Sequence, residues 1–309
     1  MVPVVEWMPM SRSARSSVGI LVAVLVGGLV AWAGGAGAAT VGPVPVVVLC
    51  AAVAYGINWL AFVPAYLRQT ERFYDLMGSV TYLTVVVLGL VLGGGGARAV
   101  LLASLITVWT ARLGSFLVAR ISKDGSDGRF DAIKPKPLRF LMTWTMQGLW
   151  VVLTASCALA AMTAERDERL DVFAVLGVVV WLAGFGIEVV ADQQKRSFRA
   201  DPANEGRFID VGLWAWSRHP NYFGEIVLWV GVAVIALPAL SGWQFVTLVS
   251  PVFVAVLLTR ISGVPRLEAR AAKRWGEQDD YRRYVRRTPV LVPRPRRTVR
   301  SADRRRHPG

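Results

Sequence analysis

Ser217–Glu225 reads SRHPNYFGE and places an arginine, one of the chain's two histidines, an asparagine and a glutamate directly before an apolar run, IVLWVGVAVIALPAL. Pro220 suits the first position of a helix, where its missing N–H is not needed. Such a helix begins at the membrane surface with unpaired backbone donors, a natural seat for an anionic group. Asn221 and Glu225 lie one turn apart on a face shared with Leu228. Glu225 is about 6 Å further along the helix at 1.5 Å per residue. A carboxylate inside a membrane segment costs a few kcal/mol, so a polar ligand site is a better reading than a capping and snorkelling cluster. Gly224, beside them, lets a second helix or a ligand approach the backbone.

A second cluster ends the preceding apolar run in GIEVVADQQKRSFR. Glu188, Asp192, Arg196 and Arg199 follow spacings that put all of them on one helix face. Two arginines one turn apart suit a phosphate, which guanidinium binds bidentately, although an ordinary charged helix end gives the same pattern. Arg112 precedes Arg120 by about 12 Å along a straight helix, and Arg260 closes the last apolar run in TRISGVPR. Each is expected to face a wet cavity or a carboxylate. In RQTERFYDLMGS, Tyr74 and Asp75 stand near the membrane edge, with Tyr82 two turns on. An acid and a phenol there can hydrogen-bond a carbonyl, or the acid can simply favour a helix start. No serine, cysteine or histidine arrangement supports nucleophilic catalysis. His219 is the one candidate imidazole, and the sequence offers too few ligands for a metal site.

These residues need elements to hold them. The chain is 54% hydrophobic with a mean hydropathy of +0.46, above the roughly 45–50% apolar content of soluble domains. Eight runs approach or exceed the length that crosses a bilayer core of about 30 Å: Val18–Thr40, Val44–Leu67, Ser79–Gly93, Ala97–Ala119, Phe140–Met162, Val172–Ala191, Tyr222–Leu240 and Gln244–Ile261. The third is short, and Tyr74–Leu76 extends it. The expectation is an all-α, polytopic membrane protein.

Charge placement points the same way. The net charge is +14. With both termini in the cytoplasm, only Arg98, Arg166 and Arg169 of the 35 Lys and Arg residues fall on the far side, while Arg112 and Arg260 lie within apolar runs. Such a basic balance reports topology in a cytoplasmic membrane and attraction to anionic membrane lipids, and argues against nucleic acid as a partner. Arg12, Arg15 and the small-residue GAGAA also fit a secretory signal peptide, but the apolar run exceeds a usual signal core of about 7–15 residues, so a retained helix is expected. Cys50 and Cys157 sit inside apolar runs as inert thiols.

The chain divides into a stub and first helix (1–40), a membrane core (41–264), an amphipathic segment carrying Trp275, Tyr281 and Tyr284 (265–290), and a basic tail expected to be disordered (291–309), which contains His307. Gly93–Gly96 is a turn between helices. Two long cytoplasmic loops, Arg120–Arg139 and Asp192–Asn221, border the membrane. Nothing in the sequence reports oligomeric state.

GLWAWSRHPNYFGEIVLWVG resembles the hallmark of bacterial membrane proteins related to the C-terminal domain of steroid 5-alpha-reductases, the DUF1295 family. ADQQKRSFR before it and LLTRISGVPRLEARAAKRWGEQDDYRRY after it match the same pattern. The resemblance runs from about Trp59 to Pro293 and implies seven core helices, here preceded by one more. It further implies NADPH-dependent reduction of an activated carbon–carbon double bond in a lipid-like substrate drawn from the bilayer. By motif, Asp192, Arg196, Arg199, Asn221, Glu225 and Arg260 would line the cofactor site, with Tyr222, Tyr281 and Arg120 as additions. One departure stands out: where the reductases carry a tyrosine that holds the enone carbonyl, this chain has Trp109, and Asp75 with Tyr74 or Tyr82 is the substitute. RHPNYFGE also resembles the RHPxYxG signature of membrane methyltransferases, which implies S-adenosylmethionine as the alternative cofactor. A non-enzymatic lipid-binding or transport component is the third reading.

Overall fold

The computed structural model describes residues 11–124, 128, 130–165 and 169–295, the side chains of 12 and 116–124 excepted. Arg166 and residues 296–309 of the tail, with His307, lie outside the described residues, as does the side chain of Arg120. Residues 291–295, expected to be disordered, instead hydrogen-bond back to the chain through Leu291 O and Arg294 N. Eight helical segments among the described residues are long and apolar enough to cross a membrane, and the only strands are a two-residue pair. The protein is an all-α, multi-pass membrane protein.

The long helices are α1 (Arg12–Gly34), α2 (Val46–Leu67), α3 (Tyr74–Leu92), α4 (Ala97–Asp124), α5 (Pro137–Thr163), α6 (Val172–Ala200) and α7 (Pro220–Ala236). The eighth span is composite: a 3₁₀ stretch, Gly242–Leu248, leads into α8 (Val249–Val256) and then a π-helical turn, Leu257–Ile261. Two amphipathic helices follow, α9 (Val264–Trp275) and α10 (Asp279–Arg287). As the sequence suggested, α3 begins at Tyr74. The first helix, by contrast, stops at Gly34 instead of continuing to Thr40. There the chain turns, and Thr40–Val41 (β1) pairs antiparallel with Val44–Pro45 (β2) across Gly42, whose φ of +59° favours glycine. The apolar run through Ala36–Ala39 has no polar break, so hydropathy alone carries the helix too far.

Contacts divide the chain into two compact units, Met1–Val179 with Trp229–Val254, and Val180–Leu228 with Ala255–Gly309. In the first, α5 is the hub: nearly every side chain from Gln147 to Thr163 is buried, against α1, α2 and α3. Lipid tails are as apolar as leucine, so membrane helices associate through close packing and hydrogen bonds. Tyr55 illustrates both. Its ring lies where a Cβ on Gly148 would come within 2.8 Å, its hydroxyl where a Cβ on Gly27 would come within 2.2 Å, and that hydroxyl donates to Ala23 O at 2.7 Å. The first helix is thus tied into the core.

Arg98 belongs to the same unit. It is 3% exposed; it donates to Ile235 O at 2.6 Å and Arg169 O at 2.9 Å and pairs with Asp171 at 3.3 Å. It satisfies a carbonyl near the end of α7 that would otherwise lack a donor.

The second unit is built on the approach of α6 to the start of α7. A Cβ on Gly184 would lie 2.4 Å from Leu228 N, and one on Gly224 would lie 2.6 Å from Glu188 N. The backbones therefore touch at two glycines, one on each helix. Gly224 serves a neighbouring helix, one of the two roles its position allowed.

Candidate functional site

The SRHPNYFGE stretch is held from three sides within the second unit. Trp214 Nε1 donates to Ala191 O at 2.9 Å and Leu213 N donates to Gln194 Oε1 at 2.9 Å, which fixes the loop to α6. Lys195 Nζ sits over the Trp214 ring, 4.4 Å from its centroid. Tyr284 of α10 donates its hydroxyl to Trp214 O at 2.9 Å. Beyond α10, the segment 288–295 straps back across the loop: Ser217 Oγ donates to Leu291 O at 2.7 Å, Arg218 N to Pro289 O at 2.9 Å and Arg294 N to Trp216 O at 2.9 Å.

This scaffold sets the polar groups. Asn221 donates Nδ2 to Asp192 Oδ1 at 3.1 Å, while its own Oδ1 is buried without a hydrogen-bond partner among the described residues. Tyr222 stacks on His219 with centroids 5.6 Å apart and planes 11° from parallel, and its ring also fills the place of a Cβ on Gly263. His219, 5% exposed, donates Nε2–H to Glu268 Oε1 at 2.8 Å, and Arg218 Nη1 donates to the other oxygen of the same carboxylate. Glu268 thereby holds two neighbouring loop residues from α9.

Beneath this network lies a cavity of about 290 Å³. Among the described residues, six basic side chains line it, Lys195, Arg199, Arg207, Arg218, Arg270 and Arg274, against one carboxylate, Glu268. Aromatic faces complete the wall: Phe208 packs edge-on to Tyr281 at 5.2 Å, and Trp275 donates Nε1–H to Gly206 O at 2.6 Å. Burial, aided by the charge of Glu268 and opposed by Arg218, raises the phenol pKa of Tyr281 above its ordinary value, and burial does the same to Tyr284. Both stay neutral donors at physiological pH. The lining of the cavity is basic, with aromatic faces in its wall.

The sequence-derived site residues distribute unevenly. Arg199 and Tyr281 line this cavity, and Asp192 meets Asn221. Glu225 is half-buried on α7 one turn beyond Asn221, whereas Arg196 is exposed on α6 and does not line the cavity. Arg260 is exposed within the π-helical turn. Tyr74, Asp75 and Tyr82 all lie on α3 in the first unit. Tyr74 and Tyr82 occupy separate clusters: Tyr74 donates its hydroxyl to Thr143 O at 3.0 Å and packs on Trp144, while Tyr82 meets Trp109 edge-on at 5.3 Å. Trp109 also packs edge-on against Trp229 at 5.1 Å, and its Nε1–H is buried without an acceptor among the described residues. Sequence reasoning missed Lys195, Glu268, Arg270 and Arg274. The available signal was the spacing of Leu267, Ala271 and Arg274, which marks one face of a helix.

With this geometry in view, comparison with known proteins adds the lineage. A family profile described as "Protein of unknown function (DUF1295)" matches residues 61–288. This chain belongs to the DUF1295 family. As a DUF1295 protein it is similar to an uncharacterized protein of Schizosaccharomyces pombe, 25% identical over 57% of this chain and 60% of the relative. It is similar to a probable O-methyltransferase, ustE, of Ustilaginoidea virens, 23% identical over 40% of this chain and 51% of the relative. It also resembles 3-oxo-5-alpha-steroid 4-dehydrogenase 1 of Bos taurus, 33% identical over 22% of this chain and 26% of the relative. The chain therefore matches less than two thirds of the length of each of these relatives. No solved structure matches it.

Proposed function

We propose that this DUF1295 protein is an NADPH-dependent membrane reductase acting on an activated carbon–carbon double bond of a lipid-like substrate. The observation that carries the reading is the cavity of the second unit, with six basic side chains against one carboxylate. A ribose 2′-phosphate brings a charge of about −1.5 to −2, which guanidinium forks hold bidentately. At about 290 Å³ the cavity suits the phosphorylated adenosine end more than a whole dinucleotide, since pockets for drug-sized ligands run from roughly 300 to 1,000 Å³. Arg199, Arg207, Arg270 and Arg274 would take the phosphates, and Phe208 or Trp275 offers a face to a base. The unpaired acceptor on Asn221, with Asp192 and Glu225 beside it, suits ribose hydroxyls or a carboxamide. When bound, NADPH would supply the hydride.

At the substrate end, Asp75 in its protonated form and Tyr82 would donate to the acceptor carbonyl, with the buried indole N–H of Trp109 as a further donor. Donors aimed at an oxygen that gains charge stabilise the transition state. Trp109 can donate a hydrogen bond there but no proton, so the α-carbon would be protonated from Tyr82 or water. The resemblance to the bovine steroid dehydrogenase supports this chemistry.

A second reading, an S-adenosylmethionine-dependent methyltransferase, is favoured by the likeness to the probable O-methyltransferase. The charge of the cavity argues against it, because S-adenosylmethionine carries a sulfonium and no phosphate. The test of the reductase reading is a titration of purified protein with NADPH by nucleotide fluorescence. The double substitution Arg199→Gln with Arg270→Gln should weaken binding at least about tenfold, as expected for the removal of charged hydrogen bonds. Unchanged affinity would remove the cavity from the reading.

A further inference from the structure

Arg218 stands in the wall of two cavities. The second, about 440 Å³, is also lined by Arg286, Arg287, Thr288 and Arg294. Among the described residues no Asp or Glu lines it, and none pairs with Arg286, Arg287 or Arg294. The acids of α10 are used elsewhere, Asp279 by Arg282 and Asp280 by Arg283. Arg286 and Arg287 end α10, where helix carbonyls favour cations. That preference does not account for Arg218 or Arg294, which the strap brings in from other parts of the chain. A further feature points to a ligand. Thr288 is 3% exposed, lines the cavity, and its Oγ1 has no hydrogen-bond partner among the described residues. Arg218 Nε is likewise buried and unpartnered. Buried polar groups are rarely left so unless something external satisfies them.

We propose that this cavity binds a phosphate-bearing anion, and that its source is the headgroup of an anionic phospholipid. Arg286, Arg287 and Arg294, joined by the unpartnered Nε edge of Arg218, whose Nη1 is held by Glu268, call for more than the single charge of a carboxylate, and tetrahedral phosphate oxygens can reach several forks and a hydroxyl together. The surroundings favour a lipid source. Trp216, whose carbonyl accepts from Arg294 N, is 41% exposed, and Val290 and Val292 on the strap are 39% and 52% exposed. Exposed tryptophan and aliphatic groups beside basic residues are the pattern of a membrane–water interface. The proposal does not depend on the cofactor reading, because Arg286, Arg287, Thr288 and Arg294 line only this cavity of the two.

The test uses the full-length protein in neutral detergent, with thermal unfolding followed during titration by phosphatidylglycerol, by phosphatidylcholine, or by inorganic phosphate. Phosphatidylglycerol should raise the melting temperature of the wild type and phosphatidylcholine should not. Arg287→Gln with Arg294→Gln should raise the apparent Kd for phosphatidylglycerol about tenfold or more, and Thr288→Val, which keeps side-chain shape, should also weaken it. An equal effect of inorganic phosphate, abolished in the same variants, keeps the anion site and assigns it to free phosphate. Stabilisation by phosphatidylglycerol that is undiminished in both variants, or no stabilisation by either anion, overturns the proposal.

Discussion

His219 and Glu268, 49 positions apart in the chain, meet at 2.8 Å, and Arg218 takes the other oxygen of the same carboxylate. One glutamate on α9 therefore sets the shape of the loop from which α7 starts. Two charge-assisted hydrogen bonds of this kind contribute roughly 1.5–3 kcal/mol each, less where solvent reaches them. Glu268→Gln should lower the melting temperature of the ligand-free protein. A variant that melts like the wild type would show that the strap and Trp214 hold the loop unaided.

The backbone approach of α6 to α7 makes a sharper prediction. Gly184→Ala would put a methyl 2.4 Å from Leu228 N, where only backbone movement can relieve it. Overpacking of this kind costs about 1–3 kcal/mol. Gly186→Ala, two residues on, meets nothing within 4 Å and should be neutral or slightly stabilising. Equal thermal stability of the two variants would mean that the helices do not touch at Gly184.

Much of the architecture was legible in hydropathy, because membrane spans must be long and apolar whatever they pack against. All eight spans were readable, and so was the start of α3 at Tyr74. The site was legible only in part. Asp192 and Asn221 could be chosen because one follows the apolar part of α6 and the other starts α7, next to apolar runs where polar groups are costly. Glu268, Arg270 and Arg274 could not, because α9 is so rich in charge that no single residue stands out until the fold turns one face toward His219. Arg98 could be read only as a charge on the far side, and nothing in the sequence told that its guanidinium is buried against a carbonyl near the end of α7.

Glu225 offers a test of ligand chemistry that leaves packing intact. Glu225→Gln preserves size and polarity, so the protein should insert and purify normally. Its affinity for NADPH or its turnover should fall, by about 1.5–3 kcal/mol for each charge-assisted hydrogen bond removed. Wild-type behaviour would leave Glu225 with a capping role alone.

Topology follows from the distribution of basic residues, which we take to put both termini in the cytoplasm. Reporter fusions after Thr40, Ala164 and Arg300 should report outside, outside and inside. An outside signal at Arg300 would turn the basic cavity away from the cytoplasm and from any NADPH supplied there.

The most direct test of the reductase reading is thermal unfolding of the purified wild-type protein in detergent with NADPH, NADH or S-adenosylmethionine. A ligand that binds only the folded state stabilises it by about 2.7 kcal/mol at a hundredfold excess over Kd. Six basic side chains in one cavity lead us to expect a clear upward shift with NADPH, a smaller one with NADH and almost none with S-adenosylmethionine. A shift with S-adenosylmethionine and none with NADPH would contradict the reductase account and establish the methyltransferase reading in its place.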